Sequence, residues 1–401
     1  MSSANRSRGL AVAALAVAAL LAGCASQTAA EKAAEVEAAR IAAEIAARTP
    51  PPIALNQDVV EAASIYVSFS REMAAIQGGF DNPDAIRDAL RRGSTYEPAQ
   101  LSRGLVAYAS IVALQSPEFV QGVRRYATDR ATREQLAANI IADPRWAAQL
   151  PGADAAAGLI MATLRVDIDA LNRAAGQIEN DAYAVQADAR RVWAVAPVAD
   201  REGRLADAKA RSMQTMLPSG PDAARLLAAA HNGTGLGLSS DRRRETPYPP
   251  VVERALAIAA LAALGEAGDG AQARTSALQN DPVSQNCLTE SKLNLFQCLA
   301  ASRPNYEDMF CVGRHIVRDI ATCARGAAMP APTVTVSGVE VAPEPRIIMA
   351  PATPATQDAP APTPVAPARP VPTPAPVIVP TPAPTTSPTQ RLNSEPNTSP
   401  R

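Results

Sequence analysis

The chain has 401 residues, 47% of them hydrophobic but only 3% aromatic, and a formal net charge of −1. That length allows one or two cored domains, and the abundance of alanine favours helices whose cores are built from small side chains. The balanced charge excludes the dense basic patch that a nucleic-acid partner requires, since the one basic run, Arg242-Arg243-Arg244, sits between Asp241 and Glu245 and reads as a solvated loop.

Arg6 and Arg8 precede an apolar run from Leu10 to Leu21. Its length is that of a signal h-region and falls short of the ~20 residues that span a bilayer. The run ends in Leu21-Ala22-Gly23-Cys24, which resembles the lipobox of bacterial lipoproteins. In such a motif small residues let the backbone enter the signal peptidase, and the cysteine thiol takes the lipid. The resemblance covers the first 24 residues only. It implies that 1–23 is a removed signal peptide and that Cys24 is the lipidation site, carrying palmitate-type chains that tie the protein to a membrane. Several acyl chains on one cysteine hold where a single chain is marginal. Ala25 and Ser26 follow without an aspartate, the pattern of lipoproteins sent to the outer membrane, with the body facing the periplasm.

Residues 24–52 form the lipidated tether. Glu31 to Arg48 is alanine-rich and charged, with Val36, Ile41 and Ile45 as a thin apolar stripe and Glu44 four residues before Arg48. This reads as a helical spacer stopped by Pro50-Pro51-Pro52. Residues 53–280 read as a helical body. Asn56 can cap a helix that carries Val59, Ala62, Tyr66, Phe69, Met73 and Ile76 on one face and ends at Gly78-Gly79. Asn82-Pro83-Asp84 and Ser116-Pro117-Glu118 are further start signals, with Leu101, Leu105, Tyr108 and Val112 marking the helix between them. A longer helix starts near Asp154, and Ile160, Leu164, Ile168, Leu171, Ala175 and Ile178 line its apolar face; Trp146 and Trp193 near its flanks read as packing anchors. After a loop over 231–250, Val251 to Leu264 is nearly all apolar and reads as a buried central helix.

Residues 329–401 differ from the rest. Twenty of the chain's 36 prolines lie from 330 onward, with no Phe, Trp or Tyr. Such a tail cannot bury enough surface to offset its conformational entropy, and its Pro-Thr-Ala strings favour extended polyproline II. Only Thr333 to Val341 alternates like a strand.

Once Cys24 is lipidated, four cysteines remain: Cys287, Cys298, Cys311 and Cys323. An even count in an oxidising compartment predicts disulfides. Asp281-Pro282 starts one helix over Cys287 and Cys298, and Asn305-Tyr306-Glu307-Asp308 reads as the capping sequence of a second over Cys311 and Cys323. Two cysteines 11 or 12 residues apart on one helix are more than 16 Å apart, beyond the ~7 Å that a disulfide allows. A short turn makes the two helices antiparallel, which pairs Cys298 with Cys311 and Cys287 with Cys323 in a hairpin over 281–328. The weak point is rotational: 12 residues of ideal helix turn about 1200°, leaving Cys311 and Cys323 about 120° apart. Cysteines two to four apart, as zinc prefers, are absent, and so is Cys-x-x-Cys.

The expected fold is therefore all-α, a multi-helix bundle ending in a disulfide-stapled antiparallel hairpin and followed by a disordered proline-rich tail. No cofactor, metal or catalytic residue is expected. His231 in Ala230-His231-Asn232-Gly233 reads as a helix C-terminal cap, and His315 lies on the exposed side of the hairpin. There is no Gly-x-Ser-x-Gly and no phosphate-binding loop. The favoured reading is a scaffolding lipoprotein of the cell envelope whose partners are the membrane, through Cys24, and an envelope protein or the cell wall. A helical carrier with an apolar pocket of ~300–1,000 Å³ ranks second, and an envelope hydrolase third.

Overall fold

The structure, a computed structural model, describes residues 29–331 and, beyond them, 335–336 and 339–340. The expected signal peptide over 1–23, the expected lipidation site Cys24 and the tail from 341 onward, with its expected disorder, lie outside the described residues. Fourteen α-helices are found among the described residues. The first, α1 (Ala29–Arg48), has every described side chain exposed, including its stripe of Val36, Ile41 and Ile45. Glu44 lies 3.5 Å from Arg40, one turn back, and Glu37 lies 2.8 Å from the same guanidinium.

The bundle is centred on α2 (Gln57–Ala74), α4 (Pro98–Ala113), α7 (Ala153–Ala184) and α10 (Pro250–Ala263). Asn56 caps α2 through its side-chain oxygen, which accepts from the Val59 amide. The same buried side chain donates to the carbonyl of Ala267 and to the Thr275 hydroxyl, both at 2.9 Å, so one cap also ties two distant segments. The helix ends at Ala74, four residues before the glycine pair expected to stop it. Those glycines do something else. A Cβ on Gly78 would fall 2.7 Å from the Gln177 carbonyl oxygen, and Gly79, at φ 84°, donates its amide to Asp181. The pair lets the chain cross α7 closely.

Small residues set the spacing elsewhere. A Cβ on Gly104 of α4 would lie 2.5 Å from the Ala62 carbonyl oxygen of α2, so these two helices approach backbone to backbone at that point. In α10, Val251, Val252 and all residues from Ala255 onward are buried, which makes it the central helix its sequence indicates. Ile160, Leu164, Ile168, Leu171, Ala175 and Ile178 of α7 are all fully buried. Around them lie α3 (Pro83–Gly93), α5 (Pro117–Tyr126), α6 (Arg130–Ala142), α8 (Arg201–Ser212), α9 (Gly220–Asn232) and α11 (Gln272–Leu278). Trp193 packs against the core, but Trp146, on a short 3₁₀ turn, is 40% exposed and anchors little.

The C-terminal hairpin is formed by α12 (Pro282–Ala301) and by a second rod made of α13 (Asn305–Val312), a π-helical turn (Gly313–Arg318) and α14 (Asp319–Ala328). Cys298 is bonded to Cys311 near the turn, with Cα atoms 5.8 Å apart, and Cys287 to Cys323 at the open end, 5.6 Å apart. The π turn removes the rotational difficulty. An i→i+5 ladder advances only about 80° per residue, which brings the rotation from Cys311 to Cys323 to roughly 1090°, close to three full turns. Both cysteines therefore face α12. The expected capping sequence is shifted: Pro304 precedes the helix without a side-chain cap, and Asn305 inside it donates to the carbonyls of Trp193 and Ala196. The hairpin is not a separate domain, because the helices up to Ala328 belong to one compact unit and the chain from Thr335 to a second. In that second unit, Thr335–Val336 and Val339–Glu340 pair antiparallel, so the alternating segment is a tight pair of two-residue strands and not a single strand.

Candidate functional site

The sequence-named histidines do not meet any nucleophile. His231 is exposed in the last turn of α9, and the cap there is Gly233 in the left-handed region at φ 65°. His315 sits on the π turn, half-buried, with Nδ1 3.2 Å from Asp319 Oδ2. Among the described residues no three of His, Cys, Asp and Glu cluster as metal ligands, and no helix is long and apolar enough to cross a membrane.

The basic run is more organised than a solvated loop. Residues 242–244 pass over α7 at Gly158, where a Cβ would overlap the Arg242 carbonyl oxygen. Arg243 is clamped by Glu118 at 2.7 Å and Asp154 at 2.9 Å, and the Arg244 amide donates to the Asp154 carbonyl. In an extended segment alternate side chains point to opposite sides. Arg242 and Arg244 accordingly line a half-open cleft of about 450 Å³ together with Arg165, Ser239, Ser240 and Asp241. Its size is that of a ligand site, but its wall is charged, so it is no chamber for an apolar ligand.

A smaller cavity carries the more informative chemistry. It lies where α2, α4 and α7 meet, has a volume of about 70 Å³, and is lined by Tyr66, Val67, Ser70, Arg71, Ala74, Tyr108, Asp167 and Ala170. Tyr66 and Ser70 are one turn apart on α2 and 2% and 5% exposed. Both hydroxyl oxygens are buried without a hydrogen-bond partner. Leaving such a group unpaired costs about 1–3 kcal/mol, and here two converge on one space. Burial pushes the Tyr66 phenol far up, the Asp167 charge adding to it, while the Ser70 hydroxyl draws it down at a geometry short of a hydrogen bond.

Asp167 comes from α7, one helical step from the buried Leu164 and Leu171. Burial pushes its carboxyl up to about 6, against the lowering effect of Arg71. Tyr108 stacks at a tilt on Tyr66, ring centres 6.0 Å apart, and burial followed by the Asp167 charge pushes its phenol up to about 12. Arg71 marks the mouth. Its side chain is 54% exposed and lies 3.2 Å from Asp222 of α9, which also holds Arg225 at 3.2 Å. The four charges around the cavity therefore balance.

Two other buried polar groups are structural ties. Arg204 of α8 is sealed against Asp308 of α13, the Ser302 hydroxyl and the Leu299 carbonyl, joining the body to the hairpin. Lys292 of α12 donates to the Tyr96 carbonyl and lies 4.2 Å over the Tyr96 ring; burial pushes its amine down to about 8, partly offset by Glu97. Cys287, Cys298, Cys311 and Cys323 are all consumed in disulfides.

Sequence reasoning missed the cavity because its members lie about 100 residues apart. A signal was present nonetheless. Ser70 falls on the apolar face between Tyr66 and Met73, and Asp167 on that between Leu164 and Leu171. A polar residue at an apolar-face position is the mark of a buried polar site. Compared with known proteins, the chain matches no family model, no curated protein and no solved structure.

Proposed function

We propose that the protein is a lipid-anchored scaffold of the cell envelope, held at the outer membrane through Cys24 with its helical body in the periplasm. The observation that carries this reading is the leader: Arg6 and Arg8, the apolar run to Leu21, and Leu21-Ala22-Gly23-Cys24 in order. The two disulfides support it, since structural disulfides persist in oxidising compartments such as the periplasm. The exposed α1 supports it too, as a spacer of 20 residues and about 30 Å between anchor and body. The proline-rich tail would then reach toward an envelope protein or the cell wall.

The test is metabolic labelling with an alkyne-bearing palmitate in a bacterial host, followed by membrane fractionation. Cys24→Ser should lose the label and leave the outer-membrane fraction. An unlabelled wild-type protein would refute the anchor. Crosslinking in intact cells should then recover a stoichiometric envelope partner, and recovery of the protein alone would refute the scaffold role.

A further inference from the structure

We infer that the cavity between α2, α4 and α7 is a binding pocket for a small free zwitterionic amino acid, of the size of glycine or alanine, with its ammonium group inward and its carboxylate at the mouth. This site is separate from the anchor, and the inference does not depend on the envelope reading.

The inner wall asks for hydrogen-bond partners. The Tyr66 and Ser70 hydroxyls are more than nine-tenths buried and unpartnered, and Asp167 presents a carboxylate beside them. An ammonium group offers three donors, one for each of these oxygens. The outer wall is of the opposite sign: Arg71 lines the same cavity with half its side chain in solvent. A guanidinium there suits a carboxylate.

Charge balance selects the zwitterion over a simple amine or a simple acid. Asp167 and Asp222 are matched by Arg71 and Arg225 around the mouth. A net cation would meet Arg71, and a net anion would meet Asp167. A dipolar ligand with its positive end inward opposes neither. Size agrees. A cavity of about 70 Å³ holds two water-sized groups, which correspond to the ligand's nitrogen and α-carbon, with the carboxylate projecting to Arg71. A longer side chain has no room inside.

The test is calorimetric titration of the full-length solubilised protein with glycine, alanine, methylammonium chloride and sodium acetate. Glycine or alanine should bind with a dissociation constant below about 1 mM, and methylammonium and acetate at least about tenfold more weakly. Asp167→Asn and Tyr66→Phe should each weaken the amino acid at least about tenfold while unfolding cooperatively. Asp169→Asn, on the surface of the same helix and paired with Arg325, should leave binding unchanged. Binding should also fall as pH drops below about 6, where Asp167 takes up a proton; the other groups facing the cavity and its mouth are Arg71, Tyr108, Asp222 and Arg225. No heat with either amino acid would overturn the proposal. So would methylammonium binding as tightly as glycine, which would make this a plain cation site. A crystal structure in which two waters fill the cavity and are not displaced by soaked glycine would overturn it as well.

Discussion

The layer of α2, α4 and α10 and the C-terminal hairpin hold their helices together in different ways. In the layer, contact is close because side chains are small: Gly104 lets α4 meet Ala62 of α2, and alanines fill much of the face of α10. In the hairpin, α12 and its partner rod are cross-linked at both ends and fastened to the body by Arg204 on Asp308. Close packing is cooperative, since every atom pair contributes a little. Cross-links and buried ion pairs concentrate the stabilisation in a few atoms. The two regions should therefore fail differently.

Asp308→Ala should have the largest effect. It strands the Arg204 charge in the core, and losing one partner of a buried pair costs about 3–5 kcal/mol, to be read from urea unfolding followed by circular dichroism. A milder loss would mean that water reaches Arg204 in the variant. Next is the pair Cys287→Ser with Cys323→Ser. It opens a 36-residue separation, worth about 4 kcal/mol by chain entropy, against about 3 for the 13-residue separation of Cys298 and Cys311. Hydrogen exchange on the reduced protein should show α12 and α14 opening first while α4 and α10 stay protected. Uniform loss of protection would dissolve the contrast between the regions.

Gly104→Ala tests the layer. Its new methyl would press on the Ala62 carbonyl and should cost about 1–3 kcal/mol by thermal unfolding. An unchanged melting temperature would show that α2 and α4 can move apart freely.

The smallest expected effect belongs to Asp167. Its folded-state value, about 6, lies above the ordinary carboxylate value, so the folded chain binds the proton more tightly than the unfolded chain. Stability from this group is thus gained as pH falls from 7 towards 4 and lost as pH rises through 6. With partial exposure the gain is at most about 2 kcal/mol. Asp167→Asn should flatten that slope in stability curves recorded across this range. A slope that survives the substitution would place the titration elsewhere.

Much of the fold was legible because it rests on local pattern. The three-and-four steps of Ile160, Leu164, Ile168 and Leu171, and the unbroken apolar run from Val251, each specify a buried helical face. The cross-helix pairing of the cysteines was likewise readable, from helix length and the short turn between the helices, while the π turn that aligns them was not. What was not readable depends on partners far off in sequence. Gly78 and Gly79 look like a helix stop, yet they serve a crossing with Gln177 and Asp181. Asp308 looks like part of a capping sequence, yet it answers Arg204 across 104 residues. Arg243 is solvated as its sequence indicates, and it also closes on Glu118 and Asp154. In each case a tertiary contact uses the residue in a way its local sequence does not reveal.

The π turn at Gly313–Arg318 makes the hairpin sensitive to chain length as well as to residue identity. A π turn is an α-helix carrying one residue more than its ladder needs. Deleting a single residue between 313 and 318 would leave an ordinary helix of 11 steps from Cys311 to Cys323, about 1100°, so Cys323 would still face Cys287. Inserting one would turn everything beyond by about 100° and point Cys323 away although both cysteines remained. The 12-residue interval from Cys311 to Cys323 acts as a one-sided ruler. In this stretch the loss of one residue should be accepted and the gain of one rejected.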